Sequence, residues 1–385
     1  MTPWLKLPSA LITSAVIALL PSTGAAAHSD DVVQPLTTIH VTVNGVNHDP
    51  LGFDISWVEQ STGRYFLADG TNNAVDLFDA RTDTFAGFVG QGSFHSLSQP
   101  ACVAMGASDP HDCNGPDGVL TDSRHRVWAG DGVDAANPVS SIKVMDPTPG
   151  HTIIKSIPLG GKFRSDELAY DPRDQVILIA NPDFNDAFLT WIDVRDMKVM
   201  GTFKYAPTDV TKWGALEQTV WNPETGLFYQ PVTGVADASG KVITPGRIDV
   251  FNPRPDEGVG QRVASIPTPN CLNGPVGMTL AEHQRLVGAC DGGGLVVPVR
   301  DSDHQRLIPN VGGGDETWYN PGDEHVYFAR IGASQLGVGD PEGARFIANL
   351  PTGPAGHSVA AYAGNNHIFV PVSGGGIKVF ADAEA

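Results

Sequence analysis

One plan recurs seven times along this chain: a short apolar strand, a turn rich in Asp, Asn, Pro or Gly, a longer apolar strand, and a third strand of the DLF, IKV or IDV type. The clearest copy runs from Ser165 to Val194, SDELAYDPRDQVILIANPDFNDAFLTWIDV. The other copies begin at Phe53, Pro116, Glu217, Val276, Asp315 and Gly356. Units of this kind, spaced by roughly 40 to 60 residues, are the signature of propeller blades. A single blade cannot bury both faces, so neighbours must stack around a channel. The repeats predict an all-β chain forming one seven-bladed β-propeller over residues 28–385, with a six-bladed ring as the nearest alternative. Two stacked β-sandwiches do not predict seven like units. Thr38–Val43, TIHVTV, alternates like a strand and is expected to complete the last blade, closing the ring and removing an open edge. Long insertions fall at 89–114, 236–244 and 257–273, where loops shape a binding face.

Composition fits this architecture and narrows the partners. The chain has 44 Gly and 30 Pro against 17% charged residues, which favours tight turns over long helices. Its formal net charge of −19 repels polyanions, so nucleic acid is not an expected partner. Residues 1–27 place Lys6 before an apolar run and end in Ala25-Ala26-Ala27, the pattern of a cleaved secretory signal. The run is interrupted by Pro8, Ser9 and Thr13, too short for a membrane anchor, and no later stretch is long and apolar enough to span. A monomeric protein in the periplasm or the medium is expected. Export favours disulfides over thiol chemistry for the four cysteines. Cys102 and Cys113 flank one short loop and Cys271 and Cys290 bracket one strand-turn-strand unit, so these pairs are favoured among three connectivities. Zinc is the weaker reading, since C-x-x-C and H-x-x-x-H pairs are absent.

Aligning the repeats on their first strands gives one residue per blade: Asp54, Asp117, Glu167, Gln218, Gly277, Glu316 and His357. The innermost strand of a blade lines the channel, so these seven are expected to ring one mouth, thickened by Asp166, Glu217 and Asp315. Carboxylates converging there repel one another unless compensated. A hard divalent cation, Ca²⁺ or Mg²⁺, is one compensation, with Asp54, Asp117, Asp166, Glu167 and Glu316 as ligands. Raised carboxylate pKa values, fit for acid–base work, are another. The plain structural alternative is that each residue only hydrogen-bonds the backbone of the next blade. His357 is a candidate base or ligand, and equally a structural histidine. A second tier at the ends of the second strands holds Asp69, Asp131, Asn181 with Asp183, Asp291 and Arg330. Arg330 is the cation expected near the mouth, paired with Glu316 or with a substrate carboxylate. The nucleophile elbow, P-loop and H-E-x-x-H motifs are absent.

GPDGVLTDSRHRVWAGDG (115–132) and SDELAYDPRDQVILIAN (165–181) resemble blades of the SMP-30/gluconolactonase-like and NHL/YncE-like propellers. The resemblance to gluconolactonase-like enzymes, which have six blades, implies calcium-dependent lactonase or esterase chemistry. Its three metal-ligand positions fall here on Phe53, Asp166 and Val276, of which only Asp166 can coordinate; Asp117 keeps its place in the DG motif of the second blade. The resemblance to YncE-like propellers implies a non-catalytic exported binder.

Two functions from different classes follow. One is a metal-assisted hydrolase, lactonase or lyase acting on a small polar substrate, with Glu167, His357 and Arg330 in the catalytic set and a cation polarising a carbonyl or activating water. The other is a propeller that binds a protein or small-molecule partner.

Overall fold

The computed structural model describes residues 33–107, 111–150, 153–182, 186–206, 216–237, 239 and 241–383. The expected secretory leader and Asp183 lie outside these residues. Seven four-stranded antiparallel sheets form a seven-bladed β-propeller. Within blades one to six successive strands pair antiparallel, as the alternation of apolar runs and Asp-, Asn- or Gly-rich turns requires. Blade one runs through Phe53–Glu59, Arg64–Asp69, Ala74–Asp79 and Thr84–Val89. The middle strands are buried throughout, as in Val176–Asn181, whose near-continuous apolar run faces a neighbouring blade on each side.

Apolar clusters between blades hold the ring together. Leu189 and Trp191 of blade three pack with Phe228 and Phe251 of blade four, and Trp128 and Ile142 of blade two with Ile177 and Ile179 of blade three. Tyr65 and Phe78 of blade one meet Phe369 and Val379 of blade seven. Burying such aromatic and branched side chains contributes roughly 1.5–3 kcal/mol each. Blades six and seven also share a buried polar seam. Asn320 donates to Asn366 over 3.0 Å, His325 Nδ1 lies 2.7 Å from Asp382, and Tyr327 donates to both Asp323 and Asp382 at 2.8 Å.

The ring closes as expected, but with a different strand. Val33–Ile39 pairs antiparallel with Gly376–Asp382 and forms the outer strand of blade seven. The alternating stretch Thr38–Val43 straddles the end of that strand; Thr42–Val43 turns back on Val46–Asn47 instead. Pro35 and the register shift before Thr37 are tolerated because this strand is an edge. The first insertion carries a short helix, Gln99–Ala104, tied by Cys102–Cys113 with Cα atoms 5.8 Å apart. The second disulfide is Cys271–Cys290, Cα atoms 5.7 Å apart. The 236–244 insertion is built on a small hairpin. The 257–273 insertion is in part blade: Arg262–Pro267 is the outer strand of blade four. Among the described residues no helix is long and apolar enough to cross a membrane.

Candidate functional site

The inner strands start at one end of the channel, and their first hydrogen bonds sort the acidic residues into two levels. Asp117, Asp166, Glu217 and Asp315 each donate a backbone N–H to the second strand of their own blade, as Val276 does in blade five. One residue further in, the carbonyls of Gly118, Glu167, Gly277 and Glu316 accept the return bond. The residue-per-blade alignment therefore mixed two levels: Asp117 is equivalent to Asp166 and Asp315, whereas Glu167 is equivalent to Glu316. Glycine at the inner level is a packing requirement. A Cβ on Gly118 would stand 2.1 Å from the carbonyl oxygen of Asp166, and one on Gly277 would stand 2.0 Å from that of Asp315.

Arg164 occupies the middle of the outer level. Its Nη1 lies 3.2 Å from Asp54 and 3.4 Å from Asp117, and its Nη2 lies 3.0 Å from Asp166. One guanidinium thus joins the carboxylates of blades one, two and three. Its backbone N–H donates to Asp112 O at 2.7 Å, anchoring it to the disulfide loop of the first insertion. Burial acts to lower the Arg164 pKa, but the surrounding Asp166, Asp117 and Asp54 charges more than reverse this and keep it protonated. The cation of this mouth is Arg164, not Arg330. The Arg330 guanidinium donates to Gly312 O at 2.9 Å and to Gln335 at 2.5 Å, outside the acidic set. The sequence signal for Arg164 was its place directly before the acidic start of the third repeat, in FRSDE.

His357 sits on the far side of Asp54. Its Nδ1 lies 2.9 Å from Ala355 O, its Nε2 lies 3.7 Å from Asp54, and its ring stacks on Phe53 at 4.7 Å. Burial acts to lower its pKa, but Asp54 and Asp315 outweigh that and raise it to about 9. The raised value favours the imidazolium at neutral pH. Burial acts to raise the Asp54 pKa, and the nearby His357 together with the Arg164 charge overcomes it, holding the pKa below its ordinary value.

Burial pushes the pKa values of the other carboxyls up. Burial raises Asp166 to about 7 despite Arg164, with Asp54 and Asp315 adding repulsion. Burial raises Glu316 to about 8, and repulsion from Asp315 adds to the rise. Burial also drives Glu167, Glu217 and Asp117 well above the carboxylate range, with neighbouring carboxylates adding to each rise. Asp315 is raised by burial against the opposing pull of His357. Asp117 Oδ2 and Glu316 Oε2 are buried with no hydrogen-bond partner among the described residues. Leaving such an oxygen charged and without a donor is costly, and a proton shared between neighbouring carboxyls relieves it. Glu167, Glu217, Asp315 and Glu316 form no ion pair with any described side chain.

The side chains named as ligands for Ca²⁺ or Mg²⁺ do not converge on one point among the described residues. A hard cation needs several oxygens converging on one point. Among the described residues, ligating atoms of three such groups come within 4.8 Å of one another only at Asp323, His325 and Asp382, in the hydrogen-bonded seam between blades six and seven. Asp54, Asp117 and Asp166 converge instead on a guanidinium. Gln218 acts structurally, its Oε1 accepting from the backbone N–H groups of Met278 at 2.8 Å and Thr317 at 3.3 Å. The second tier is also internal: Asp131 accepts from Lys143 and Ser141, and Asp69 accepts from Thr71. Asp291 accepts from Asn273.

No family model matches the chain. A search of the curated proteins likewise finds no match. The propeller architecture stands on the strand order alone, and no match ties it to the SMP-30/gluconolactonase-like or the NHL/YncE-like group.

Proposed function

We propose that this propeller is a binding protein whose acidic channel mouth takes a small organic cation bearing an ammonium or guanidinium group. The observation that carries the reading is the imbalance around Arg164. Asp54, Asp117 and Asp166 already grip a guanidinium supplied by the chain itself, while Glu167, Glu217, Asp315 and Glu316 stand beside them without a cation partner among the described side chains, their pKa values raised by burial. A second cation would let those carboxyls ionise, exchanging their protons for a charge-assisted bond. An extended ligand with separate donors suits carboxyls spread around a ring better than one compact metal ion does.

Calorimetric titration with agmatine, putrescine and CaCl₂, near neutral pH in two buffers of different ionisation enthalpy, tests this. The expected result is saturable binding of an organic cation with net proton release, weakened in Glu167→Gln and Glu316→Gln. Proton-neutral binding, or tight one-to-one binding of Ca²⁺ alone, would overturn it in favour of a metal site.

A second reading keeps chemistry at the same place. Glu167 and Glu316 are equivalent residues of blades three and six, and burial raises Glu316 to about 8. Such a pair can deliver and remove a proton in a hydrolase, lactonase or lyase without a metal. Turnover of lactones or esters that disappears in Glu167→Gln would favour this reading.

A further inference from the structure

The opposite end of the channel is aromatic. Trp57 of blade one and Trp318 of blade six meet edge to face, ring centroids 5.4 Å apart at 76°. Blade seven lies between those two blades, so the contact bridges two inner strands that are not neighbours. Trp57 Nε1 donates to Thr121 at 3.1 Å, which fixes the ring against blade two. Outside the two indoles lies a cavity of about 370 Å³, within the size range of small-molecule sites. Tyr170 forms a wall, and Glu59, Ser123 and His125 stand at its rim.

We infer that this cavity is a second binding site and that its ligand is a neutral polyhydroxylated ring, a saccharide unit. The floor supplies flat π surfaces, and an edge-to-face pair leaves a face of the ring that gives its edge uncovered. Such faces attract the weakly positive C–H groups of a sugar ring. The rim supplies groups that both donate and accept: Ser123 Oγ and the Tyr170 hydroxyl lie 2.9 Å apart, and Gln175 donates to Tyr170 at 2.7 Å. The carboxylates are already engaged. His125 Nδ1 lies 2.7 Å from Glu59, which also accepts from Thr62, and Asp122 accepts from Arg126 and Trp128. A charged ligand would find no free counter-charge there, whereas hydroxyls match the rim. This site is independent of the acidic mouth and stands or falls without it.

Saturation-transfer NMR on the folded protein, with methyl glycosides of glucose, galactose, mannose and N-acetylglucosamine and with tetramethylammonium as competitor, tests the inference. The expected result is saturable transfer to ring C–H protons of at least one glycoside. Trp57→Phe and Ser123→Ala should each weaken it by about two- to ten-fold, the equivalent of one aromatic contact or one hydrogen bond. Absence of saturable binding by every glycoside overturns the inference. So does preferential binding of tetramethylammonium, the sign of a cation–π cage, or glycoside binding that survives both rim and floor variants.

Discussion

The two ends of this channel are lined by the same seven inner strands yet stabilised by opposite means. At the starting end, buried carboxyls crowd around one guanidinium and one imidazole, and burial raises most of their pKa values. At the finishing end, Trp57 and Trp318 meet by ring contact, and each rim carboxylate has its own partner. The first end depends on protonation and should respond to pH and to added cations. The second depends on shape and should ignore both. A propeller can host both because each inner strand presents its first residues to one face and its last to the other.

The largest effect that would sharpen this contrast is at the aromatic end. Trp57→Ala should cost about 2–3 kcal/mol, the low side for a tryptophan deletion because the ring is only partly buried. Urea unfolding should show that loss equally in mildly acidic and mildly alkaline buffer; a strongly pH-dependent loss would break the comparison.

Next comes the pH response of the unaltered protein. Asp166 and Glu316 have folded-state pKa values of about 7 and about 8, above the ordinary 3.8 and 4.5. The native state therefore holds protons that the unfolded chain has released. Their contribution is fully present below the ordinary values and is lost as pH rises through the folded ones. His357, raised to about 9, acts in the same direction. The melting temperature should fall between about pH 5 and pH 8. A flat or rising profile would contradict the shared-proton description. Smaller again, Glu167→Gln combined with Glu316→Gln should flatten that profile by roughly half, because two of the shifted carboxyls no longer titrate. Smallest, Ser123→Ala should leave the melting temperature within about 1–2 °C at either pH, as rim substitutions away from the core usually do.

How far the sequence showed these two ends follows from where each residue sits in its repeat. The seven blades, both disulfides and the concentration of carboxyls at one mouth were legible because they recur with the repeat or pair within one loop. The two levels were not, because adjacent acidic residues such as Asp166 and Glu167 slide past one another in a residue alignment. Only the backbone hydrogen bonds fix their register. Arg164 was overlooked because it stands just outside the repeat that begins at Ser165, whereas Arg330, chosen from the ends of the second strands, spends its donors on Gly312 and Gln335. The aromatic end was hidden because Trp57, Tyr170 and Trp318 fall at different offsets from the starts of their strands. Their meeting depends on ring closure, which no single blade encodes.

The central claim is that Arg164 is the built-in cation around which the acidic mouth is organised. The most direct measurement is the melting temperature of Arg164→Ala against pH, with and without low millimolar methylguanidinium. Without the side chain, Asp54, Asp117 and Asp166 can avoid repulsion only by protonation, so the stability deficit should widen as pH rises. Methylguanidinium should recover a large part of it in the variant and do nothing to the unaltered protein. A deficit that is absent, independent of pH, or untouched by methylguanidinium would contradict the account.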